Sequence, residues 1–459
     1  MFKKILIANR GEIALRIIRS CREMGIRTVA VYSTADENAL HVRFADQAVC
    51  IGPPDATSSY LNQPRVLAAA EITGADAIHP GYGFLAENAR FASAVRQMGL
   101  AFIGPSVEHL HMFGDKLTAK VAAKKAGLPL LDGSEGAVRS IEEAIVASRR
   151  AGFPVMMKAA AGGGGKGMRI VESEDEIGRI FHVSQSEARA AFGSGELFIE
   201  RFLRRPRHIE VQVAGDGRGN AVHVGTRDCS MQRRHQKLIE EAPAANLPGD
   251  LRERITTAAA DLIRSVRYQT VATVEFLVEG SEFYFLEVNP RIQVEHPVTE
   301  EVTGIDLVWE QIRLAAGEPL FIRQDRVRPR GHAIEVRINA EDPWTFMPSP
   351  GRITGYHEPG GPGVRVDSAV HEHAIVQPYY DSLTGKLIVH GKNRDHAIRR
   401  MLGALDEFIV EGIKTTIPLQ RELINSDEFR DCEFYVRFVD DWLEARRNAM
   451  DDTGGPRTA

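Results

Sequence analysis

Hydrophobic positions in the first hundred residues follow two alternating periods. Residues 3–33, KKILIANRGEIALRIIRSCREMGIRTVAVYS, begin with a continuous apolar run, continue with Ile13, Ile17 and Ile18 at helical spacing, and end in a second apolar run, TVAVY. Apolar runs of this length are typical of buried strands. The same succession of helix and strand recurs in residues 67–88 and 91–105. Residues 1–113 are therefore predicted to form an open, mostly parallel sheet covered by helices.

The pattern of the remaining residues favours antiparallel sheet. Residues 207–229 and 271–290 alternate apolar and polar positions around glycine-containing turns, which is typical of β-hairpins. A helix with Asp115 as N-cap opens a second predicted domain, and strands with amphipathic helices predict a third. The predicted divisions are a domain at 114–330 with an inserted lid at about 131–203, a C-terminal antiparallel-sheet domain at 331–446, and a disordered tail at 447–459. The predicted fold class is α/β, or α+β over the whole chain.

Composition and charge exclude some classes of function without choosing one. The 459 residues are 43% hydrophobic and carry a formal net charge of −5, so neither nucleic-acid nor membrane binding is indicated. No apolar stretch approaches the roughly 20 residues that a membrane-spanning helix needs. Four scattered cysteines without a C-x-x-C pair argue against a zinc site or a disulfide framework, and they favour a cytoplasmic location.

The glycine run AAAGGGGKGM, residues 159–168, raises the question of which phosphate-binding loop it forms. A P-loop is excluded because Gly167, rather than serine or threonine, follows Lys166. A dinucleotide-binding loop would be followed by a helix, whereas MRIVES predicts a strand. Since a strand containing Lys158 also precedes the run, the pattern predicts a hairpin flap that covers nucleotide phosphates with backbone amides. The alternative is a flexible surface hairpin.

The hairpin TVEFLVEGSEFYFLEVNP, residues 273–290, carries the most informative acidic pattern. A three-residue turn at 280–282 would place Glu275 directly opposite Glu287, with Asn289 on the same face. Opposed carboxylates repel unless a cation lies between them, and oxygen ligands near a phosphate favour magnesium. The alternative is two solvated carboxylates on an outer face.

The segment RIQVEHPVTE, which follows this hairpin, places Arg291, Gln293 and Glu295 at alternate positions. An arginine can clamp a small planar oxyanion bidentately, and an adjacent glutamate can act on that oxyanion as a general base. The segment therefore predicts an oxyanion site beside the metal site.

These motifs together resemble the biotin carboxylase family of ATP-grasp enzymes. The similarity runs from about Lys3 to about Asp440. It rests on these segments in the family's order: IANRGEIALRIIR, IHPGYGFLAEN, FIGP, GDK, AGGGGKGM, RHIEVQV, RDCSMQRRHQKLIEEAP, EVNPRIQVEHPVTE, INAEDP and YYDS. The resemblance implies an ATP-grasp fold, in which the three predicted domains are the N-terminal biotin carboxylase domain, the ATP-grasp domain with its lid, and the C-terminal biotin carboxylase domain. It also explains the basic clusters RFLRRPRH and MQRRHQK, because the family's substrates are anions.

The resemblance implies a role for each residue that matches the family's motifs. ATP would be bound by Lys116, Lys158, Gly164, Gly165, Glu200, Arg201, Phe202, Leu203, His208, Gln232, His235, Glu275 and Glu287. Magnesium, or manganese, would be held by Glu275, Glu287 and Asn289. Bicarbonate would be bound by Lys237, Arg291, Gln293 and Val294. Biotin, the substrate carried by another protein, would be bound by Arg337 and bordered by Tyr82.

The resemblance further implies a reaction in which Arg291, Glu295, Lys237 and Arg337 are catalytic. Glu295 would deprotonate bicarbonate for attack on the γ-phosphate of ATP, and the resulting carboxyphosphate would decay to carbon dioxide and phosphate. Phosphate would then act as base on the biotin ureido nitrogen, while Arg337 stabilises the enolate-like oxygen that develops on biotin. The protein would be an ATP-dependent ligase.

The implied partners are a biotin carboxyl carrier protein and carboxyltransferase subunits on other polypeptides, with a homodimer as the family expectation. The sole Met-Lys pair, at Lys158, lies in the strand before the flap, which is the wrong context for biotin attachment. Acetyl-CoA is the expected final acceptor. Pro290, where acetyl-CoA carboxylase subunits often have threonine, leaves pyruvate or another acyl-CoA as an alternative.

Two alternatives of other classes remain. An ATP-grasp ligase of the carbamoyl-phosphate or purine-pathway type would share the flap and the acidic hairpin, but it would not need Arg337. A non-catalytic, nucleotide-binding regulatory subunit would not need Lys237, Arg291 and Glu295.

Overall fold

The amino-terminal residues form a five-stranded parallel sheet. The computed structural model describes residues 1–134, 136–159 and 168–452. The strands of this sheet are β1 (Lys4–Ile7), β2 (Arg27–Ser33), β3 (Gln47–Gly52), β4 (Ala77–His79) and β5 (Ala101–Phe102), in the order β3-β2-β1-β4-β5. The helices are α1 (Gly11–Glu23), α2 (Leu40–Phe44), α3 (Gln63–Thr73), α4 (Ala89–Gln97) and α5 (Val107–Gly114).

The carboxyl ends of these parallel strands lie at one edge of the sheet. Ile5, Leu6 and Ile7 of the central strand β1 are fully buried, as expected of a strand covered on both faces. The loops after β1 and β4 therefore meet, and Asn9 Nδ2 donates to the carbonyl of Tyr82 at 2.7 Å. This contact fixes the loop that carries Tyr82.

The predicted lid contains a small antiparallel sheet with its own hydrophobic core. Its elements, with the helix that precedes it, are α6 (Lys116–Lys125), α7 (Ile141–Ala151), β6 (Val155–Ala159), β7 (Arg169–Val171), α8 (Ile177–Phe192) and β8 (Leu197–Arg201). Strands β6 and β7 pair antiparallel, so the glycine run does connect two strands of a hairpin. Residues 160–167, which include Gly164 and Gly165, lie outside the described residues.

The remaining strands are β9 (Arg207–Asp216), β10 (Ala221–Arg233), β11 (Gln236–Ala242), β12 (Gln269–Glu279), β13 (Glu282–Asn289), β14 (His332–Asn339), β15 (Gly351–Arg352), β16 (Gly355–His357), β17 (Val364–Ser368), β18 (Ile375–Val376), β19 (Leu383–Gly391) and β20 (Ile409–Glu411). The remaining helices are α9 (Gly249–Ser265), α10 (His296–Thr303), α11 (Leu307–Ala315), α12 (Arg394–Glu407), α13 (Ile417–Asn425), α14 (Asp427–Arg430) and α15 (Phe438–Asp452). Among helices of the described residues, none has the length and apolar content that crossing a bilayer requires.

Eight of these strands form one antiparallel sheet in the order β13-β12-β9-β10-β11-β14-β19-β17. The sheet continues across residue 330, because β14 pairs with β11 and so satisfies backbone groups that would otherwise be exposed along the edge of β11. The two smaller pairs, β15-β18 and β16-β20, lie outside it.

Alternation along the strands gives this sheet one apolar and one polar face. On β9, Ile209, Val211 and Val213 pack in a core with α9, whereas His208, Glu210 and the other even-numbered residues point to the opposite face. The polar face is where the candidate site lies.

Two details of the prediction are wrong. The acidic hairpin has a two-residue turn, Gly280 and Ser281, because Glu279 pairs with Glu282. The helix α15 runs to Asp452, so residues 447–452 continue a helix instead of beginning a tail, and residues 453–459 lie outside the described residues. The amphipathic pattern of residues 437–450 itself predicts a helix, so a tail boundary at residue 447 lies inside that helix.

Candidate active site

Three carboxylates form a row across neighbouring strands on the polar face of the large sheet. Glu210 of β9 lies opposite Glu275 of β12, which in turn lies opposite Glu287 of β13. The second pairing exists because an irregularity after Glu275 adds Leu286 to β13 as an extra residue. Without this bulge the two-residue turn would pair Glu275 with Leu286, and Glu287 would point to the other face.

The ammonium group of Lys237 lies among three carboxylates. Lys237 Nζ donates to Glu275 Oε1 at 3.1 Å and to Glu295 Oε1 at 2.8 Å, and it also donates to Glu210. Glu210 additionally accepts two hydrogen bonds from the fully buried Arg227. This pairing is what allows so many acids to be buried together, since an unpaired buried charge is strongly destabilising.

Cations are distributed unevenly along the carboxylate row. Burial would raise the pKa of Glu275, but Lys237 and His208 outweigh burial and hold it well below its ordinary value. His208 Nε2 lies 2.9 Å from Glu275 Oε2. Burial and the neighbouring Glu275 instead raise the pKa of Glu287. Glu287 is thus the carboxylate with the least compensation.

The end of the row at Glu275, Glu287 and Asn289 fits a divalent cation. Asn289 Nδ2 donates to Glu275 Oε1 at 2.8 Å, so its amide lies against the same carboxylate. Oxygen ligands from two carboxylates and an amide suit magnesium, and a cation between the carboxylates would relieve the repulsion that raises the pKa of Glu287. Among the described residues, two further groups have ligand atoms close enough to share a metal ion, namely His208 with Glu210 and Glu275, and Glu210 with Cys229 and Glu295. Neither group includes Glu287, the carboxylate of the row that Lys237 does not contact.

The loop after β13 carries the predicted oxyanion site beside this row. Arg291 donates to Gln293 Oε1 at 2.7 Å and to Asn289 Oδ1 at 3.0 Å, and its Nε lies 2.7 Å from Glu87. Gln293 Nε2 donates to Glu275 Oε1 at 3.0 Å. The guanidinium and the amide are therefore held by other side chains in positions that face the carboxylate row.

Glu295 is fully buried between two cations at the start of α10. Lys237 Nζ donates to its Oε1, and Arg337 Nη2 donates to its Oε2 at 2.9 Å. Burial and Glu210 would raise the pKa of Glu295, but Lys237 and Arg337 lower it below its ordinary value. Glu295 is therefore ionised at neutral pH, which is the form that can accept a proton.

Arg337 of β14 connects Glu295 to a second acid, Glu240 of β11. Arg337 Nε donates to Glu240 Oε1 at 2.6 Å. Burial raises the pKa of Glu240 to about 7 even though Arg337 opposes the rise. The guanidinium is thus fixed at two points, with its orientation set by the large sheet.

Lysines at the lid side of the site share a single carboxylate. Lys158 on β6 and Lys120 on α6 both donate to Glu200 on β8. Burial, followed by the ammonium groups of Lys120 and Lys116, lowers the pKa of Lys158 to about 7. One carboxylate does not balance three ammonium groups, so this corner has a surplus of positive charge suited to phosphates.

The remaining predicted residues surround this arrangement. Phe202 N donates to Pro154 O and Arg201 N to Asp132 O, which fixes the strand leading to Leu203 as the connection between lid and large sheet. Gln232 Nε2 lies 3.3 Å from His208 Nδ1.

The two-residue turn between β10 and β11 consists of Arg234 and His235. Both have positive φ, +47° and +66°. Positive φ at both central residues is what a two-residue hairpin turn of type I′ requires, so the turn itself accounts for these angles.

Tyr82 and Val294 lie at the opposite end of the site, next to the amino-terminal sheet. The Tyr82 hydroxyl donates to Glu12 at the start of α1. The carbonyl of Val294 accepts a hydrogen bond from Lys386 Nζ at 2.8 Å.

Sequence reasoning missed several side chains of the site. Glu210 could have been found from alternation, since it lies between His208 and Gln212 on the same face of β9. Lys120 could have been found as the residue one helical turn after Lys116. Glu87, Arg227 and Glu240 gave no local signal, because their partners lie on other segments.

The chain matches three protein-family models that together cover most of its length. These are Biotin carboxylase, N-terminal domain, at residues 1–110, Carbamoyl-phosphate synthase L chain, ATP binding domain, at 115–323, and Biotin carboxylase C-terminal domain at 335–441. Similar full-length proteins agree with this assignment. The biotin carboxylase of Pseudomonas aeruginosa is 54% identical over 94% of this chain and 96% of its own length.

The chain belongs to the biotin carboxylase family.

Other relatives extend the comparison within the biotin carboxylase family. The biotin carboxylase of Nostoc is 55% identical over 95% of this chain and 98% of its own, and a pyruvate carboxylase subunit of Methanothermobacter thermautotrophicus is 52% identical over 96% and 90%. As a member of this family, the protein is an ATP-dependent ligase.

Solved structures of the family confirm the predicted ATP-grasp fold. The Campylobacter jejuni biotin carboxylase, solved as a β,γ-ATP complex, has a TM-score of 0.92 at 47% identity and covers 96% of this chain and 99% of its own. The biotin carboxylase domain dimer of the Hydrogenobacter thermophilus 2-oxoglutarate carboxylase, solved with MgADP, ADP and bicarbonate, has a TM-score of 0.90 at 46% identity and covers 96% and 98%.

The low pKa of Lys158 predicts a pH dependence of nucleotide binding. A lysine with a pKa of about 7 is protonated below that pH and loses its charge above it, so ADP affinity should fall as pH rises from 7 to 9. We expect Lys158→Met to weaken ADP binding at pH 7 by about tenfold and to flatten the pH dependence. Isothermal calorimetry at several pH values measures both effects. The control is Lys414→Met, which replaces an exposed lysine far along the chain from the lid. A wild-type affinity that is constant over this range would contradict the assignment.

Proposed function

We propose that this protein carboxylates biotin on a separate carrier protein, with ATP and bicarbonate as co-substrates and carboxyphosphate as the intermediate. The observation that carries the proposal is the position of Glu295, ionised and fully buried, between Lys237 and Arg337. Bound nucleotide, magnesium and bicarbonate in the solved Hydrogenobacter structure, at 46% identity, support the same substrates here.

The phosphate chain of ATP is proposed to lie between the lid and the carboxylate row. Lys116 and Lys158 would neutralise the phosphates from the lid side, where Gly164 and Gly165 would also bind them, and His208, Gln232 and His235 would donate hydrogen bonds to them from the sheet side. The hinge beside the adenine would be formed by residues 200–203, which are Glu200, Arg201, Phe202 and Leu203. Glu275, Glu287 and Asn289 would hold magnesium, which supplies electrostatic neutralisation of the phosphates.

Bicarbonate is proposed to bind between Arg291 and Lys237, with Gln293 and the Val294 peptide completing its site. Hydrogen bonds to neighbouring side chains hold the Arg291 guanidinium and the Gln293 amide in place before the anion arrives, whereas Lys237 must exchange a carboxylate partner for bicarbonate. When the ammonium of Lys237 turns toward bicarbonate, Glu295 loses one of its two cations and its pKa rises. Glu295 would then become a stronger base at the moment when the proton of bicarbonate must be removed.

Biotin is proposed to lie between Arg337 and Tyr82. The Arg337 guanidinium, already oriented by Glu240 and Glu295, would stabilise the negative charge that develops on the ureido oxygen. Removing water from this site would also protect carboxyphosphate from hydrolysis.

The first experiment is the rate of ADP release from purified protein with magnesium and ATP, measured with and without bicarbonate and free biotin. We expect release to depend on bicarbonate and to rise with biotin. Turnover that is indifferent to both would contradict the proposal and favour another ATP-grasp ligase. Tight nucleotide binding without turnover would favour a regulatory subunit.

We further propose a cytoplasmic homodimer that works with a biotin carboxyl carrier protein and carboxyltransferase subunits, with acetyl-CoA as final acceptor. The dimeric Hydrogenobacter structure supports the homodimer. Pyruvate is the second candidate acceptor, favoured by Pro290 and by the 52% identity to a pyruvate carboxylase subunit. Co-purification of the native complex, followed by assays with labelled bicarbonate and each acceptor, separates the two.

A further inference from the structure

Lys386 on β19 has a fully buried ammonium group that has no role in the reaction proposed above. Its exposed fraction is 0%. Its Nζ donates to the carbonyl oxygen of Val294 at 2.8 Å and lies 3.2 Å from Glu12 Oε1 and 4.0 Å from Asp367 Oδ2. Burying an ammonium is costly unless it is paired, so its position is determined by these partners.

Strand register places Lys386 beside the biotin side of the site. Lys386 lies directly opposite Arg337 in the pairing of β14 with β19, so both cations occupy the same face of the sheet. Arg337 contacts Glu295, whereas Lys386 contacts the carbonyl of the preceding residue, Val294. The two neighbouring cations therefore hold consecutive residues of the same loop.

Neutralising the charge of Asp367 does not explain why Lys386 is buried at this position. Arg365 already makes a bidentate contact with Asp367, with distances of 2.7 and 3.0 Å, whereas Lys386 remains at 4.0 Å. The closer partners are Glu12 and Val294, and each belongs to a different part of the site.

Each close partner of Lys386 adjoins a group that the proposed function assigns to a substrate. Its hydrogen bond to the Val294 carbonyl fixes the peptide group that joins Val294 to Glu295. It thereby restrains the adjoining peptide group, whose N–H is that of Val294 and is the donor that an anion could use. Its contact with Glu12 fixes the carboxylate that accepts the hydrogen bond of the Tyr82 hydroxyl. A single side chain of β19 thus connects the loop before α10 with the loop after β4.

We propose that Lys386 is a positioning residue for the proposed reaction, which sets the backbone at Val294 for bicarbonate and, through Glu12, the Tyr82 ring for biotin. The inference rests on the proposed function, because it takes bicarbonate and biotin as the ligands of these two loops.

Steady-state kinetics of three variants test this inference. Lys386→Met should raise the KM for bicarbonate and the KM for free biotin by about tenfold each. The reason is that the variant loses one charge-assisted hydrogen bond to the Val294 carbonyl and one to Glu12. Glu12→Gln keeps the contact between Lys386 and Val294, so only the KM for biotin should rise. ADP affinity should be unchanged in both variants, because neither residue contacts the lid or the carboxylate row.

The double variant Glu12→Gln with Lys386→Met separates positioning from simple charge balance. It removes both buried charges together, so its melting temperature should recover relative to Lys386→Met. The KM for bicarbonate should nevertheless stay raised, because the Val294 carbonyl still lacks its donor. Leu405→Ala, which truncates a buried side chain on α12, is the control for general destabilisation and should leave both KM values unchanged.

The outcomes distinguish three cases. Recovery of both KM values in the double variant, or unchanged KM values in Lys386→Met, would overturn the positioning role. If Lys386→Met does not fold, the double variant and Glu12→Gln still decide by their separate effects on bicarbonate and biotin. Wild-type ADP release that does not depend on bicarbonate would instead contradict the proposed function.

Discussion

Replacing Glu295 by glutamine is expected to lower bicarbonate-dependent ADP release by about 100–10,000-fold, the range that a positioned general base contributes. Glutamine has nearly the same shape and keeps one oxygen that accepts from Lys237 or Arg337, but its NH2 group cannot accept from the other cation, and the side chain cannot accept the proton of bicarbonate. The loss should appear in kcat, since the substituted group is required for the chemical step.

Nucleotide binding is the internal control for this variant. Glu295 makes no contact with Lys158, Lys120 or Glu200, so the Kd for ADP measured by calorimetry should stay within about threefold of the wild-type value. An equal loss of ADP binding and turnover would contradict the role of Glu295 as base. Because its pKa is lowered in the ligand-free protein, Glu295 is ionised there at neutral pH, and its titration should not limit kcat/KM for bicarbonate between pH 6 and 8.

Replacing Arg337 by methionine is expected to reduce the biotin-stimulated rate by about 100–1,000-fold, the cost of losing one donor that stabilises an oxyanion. Methionine occupies similar volume without charge, and Glu240, whose pKa is already about 7, can take up a proton in its place. Arg337→Lys keeps the charge but loses the fork that contacts Glu240 and Glu295 together, so an intermediate rate is expected.

The biotin-independent rate distinguishes the role of Arg337 toward biotin from its contact with Glu295. Loss of Arg337 leaves Lys237 beside Glu295, so slow bicarbonate-dependent ADP release without biotin should fall much less than the biotin-stimulated rate. Equal falls in the two rates would show that Arg337 acts only by holding Glu295. Both rates are measured in the same coupled assay at saturating ATP.

Local patterns were sufficient to predict the separate parts of this site. Alternation along the acidic hairpin predicted that Glu275 and Glu287 face each other, and the two strands around the glycine run predicted the hairpin of the lid. The first inference depends on the two-residue period of a strand and the second on the strand-like segments on both sides of the glycines, and both patterns are present in the sequence itself. The parallel amino-terminal sheet was predictable for a similar reason, since its strands and helices alternate within short distances along the chain.

The prediction that Glu275 and Glu287 face each other is correct, but the turn on which it was based is not. The expected three-residue turn and the observed two-residue turn with a bulge at Leu286 each shift the register by the same single residue. A bulge depends on how the strand packs against its neighbours, and no residue type in this hairpin specifies it.

The contacts that make these parts a single site were decided by the tertiary structure. Arg337 meets Glu295 only because β14 pairs with β11, and Lys237 meets three acids from three other segments. Lys386 contacts Val294, which lies 92 residues earlier in the chain, and Glu12, which lies near the amino terminus. Periodicity determines which face a side chain occupies, but which charges meet on that face depends on strand order and burial, and these arise only when distant segments pack together.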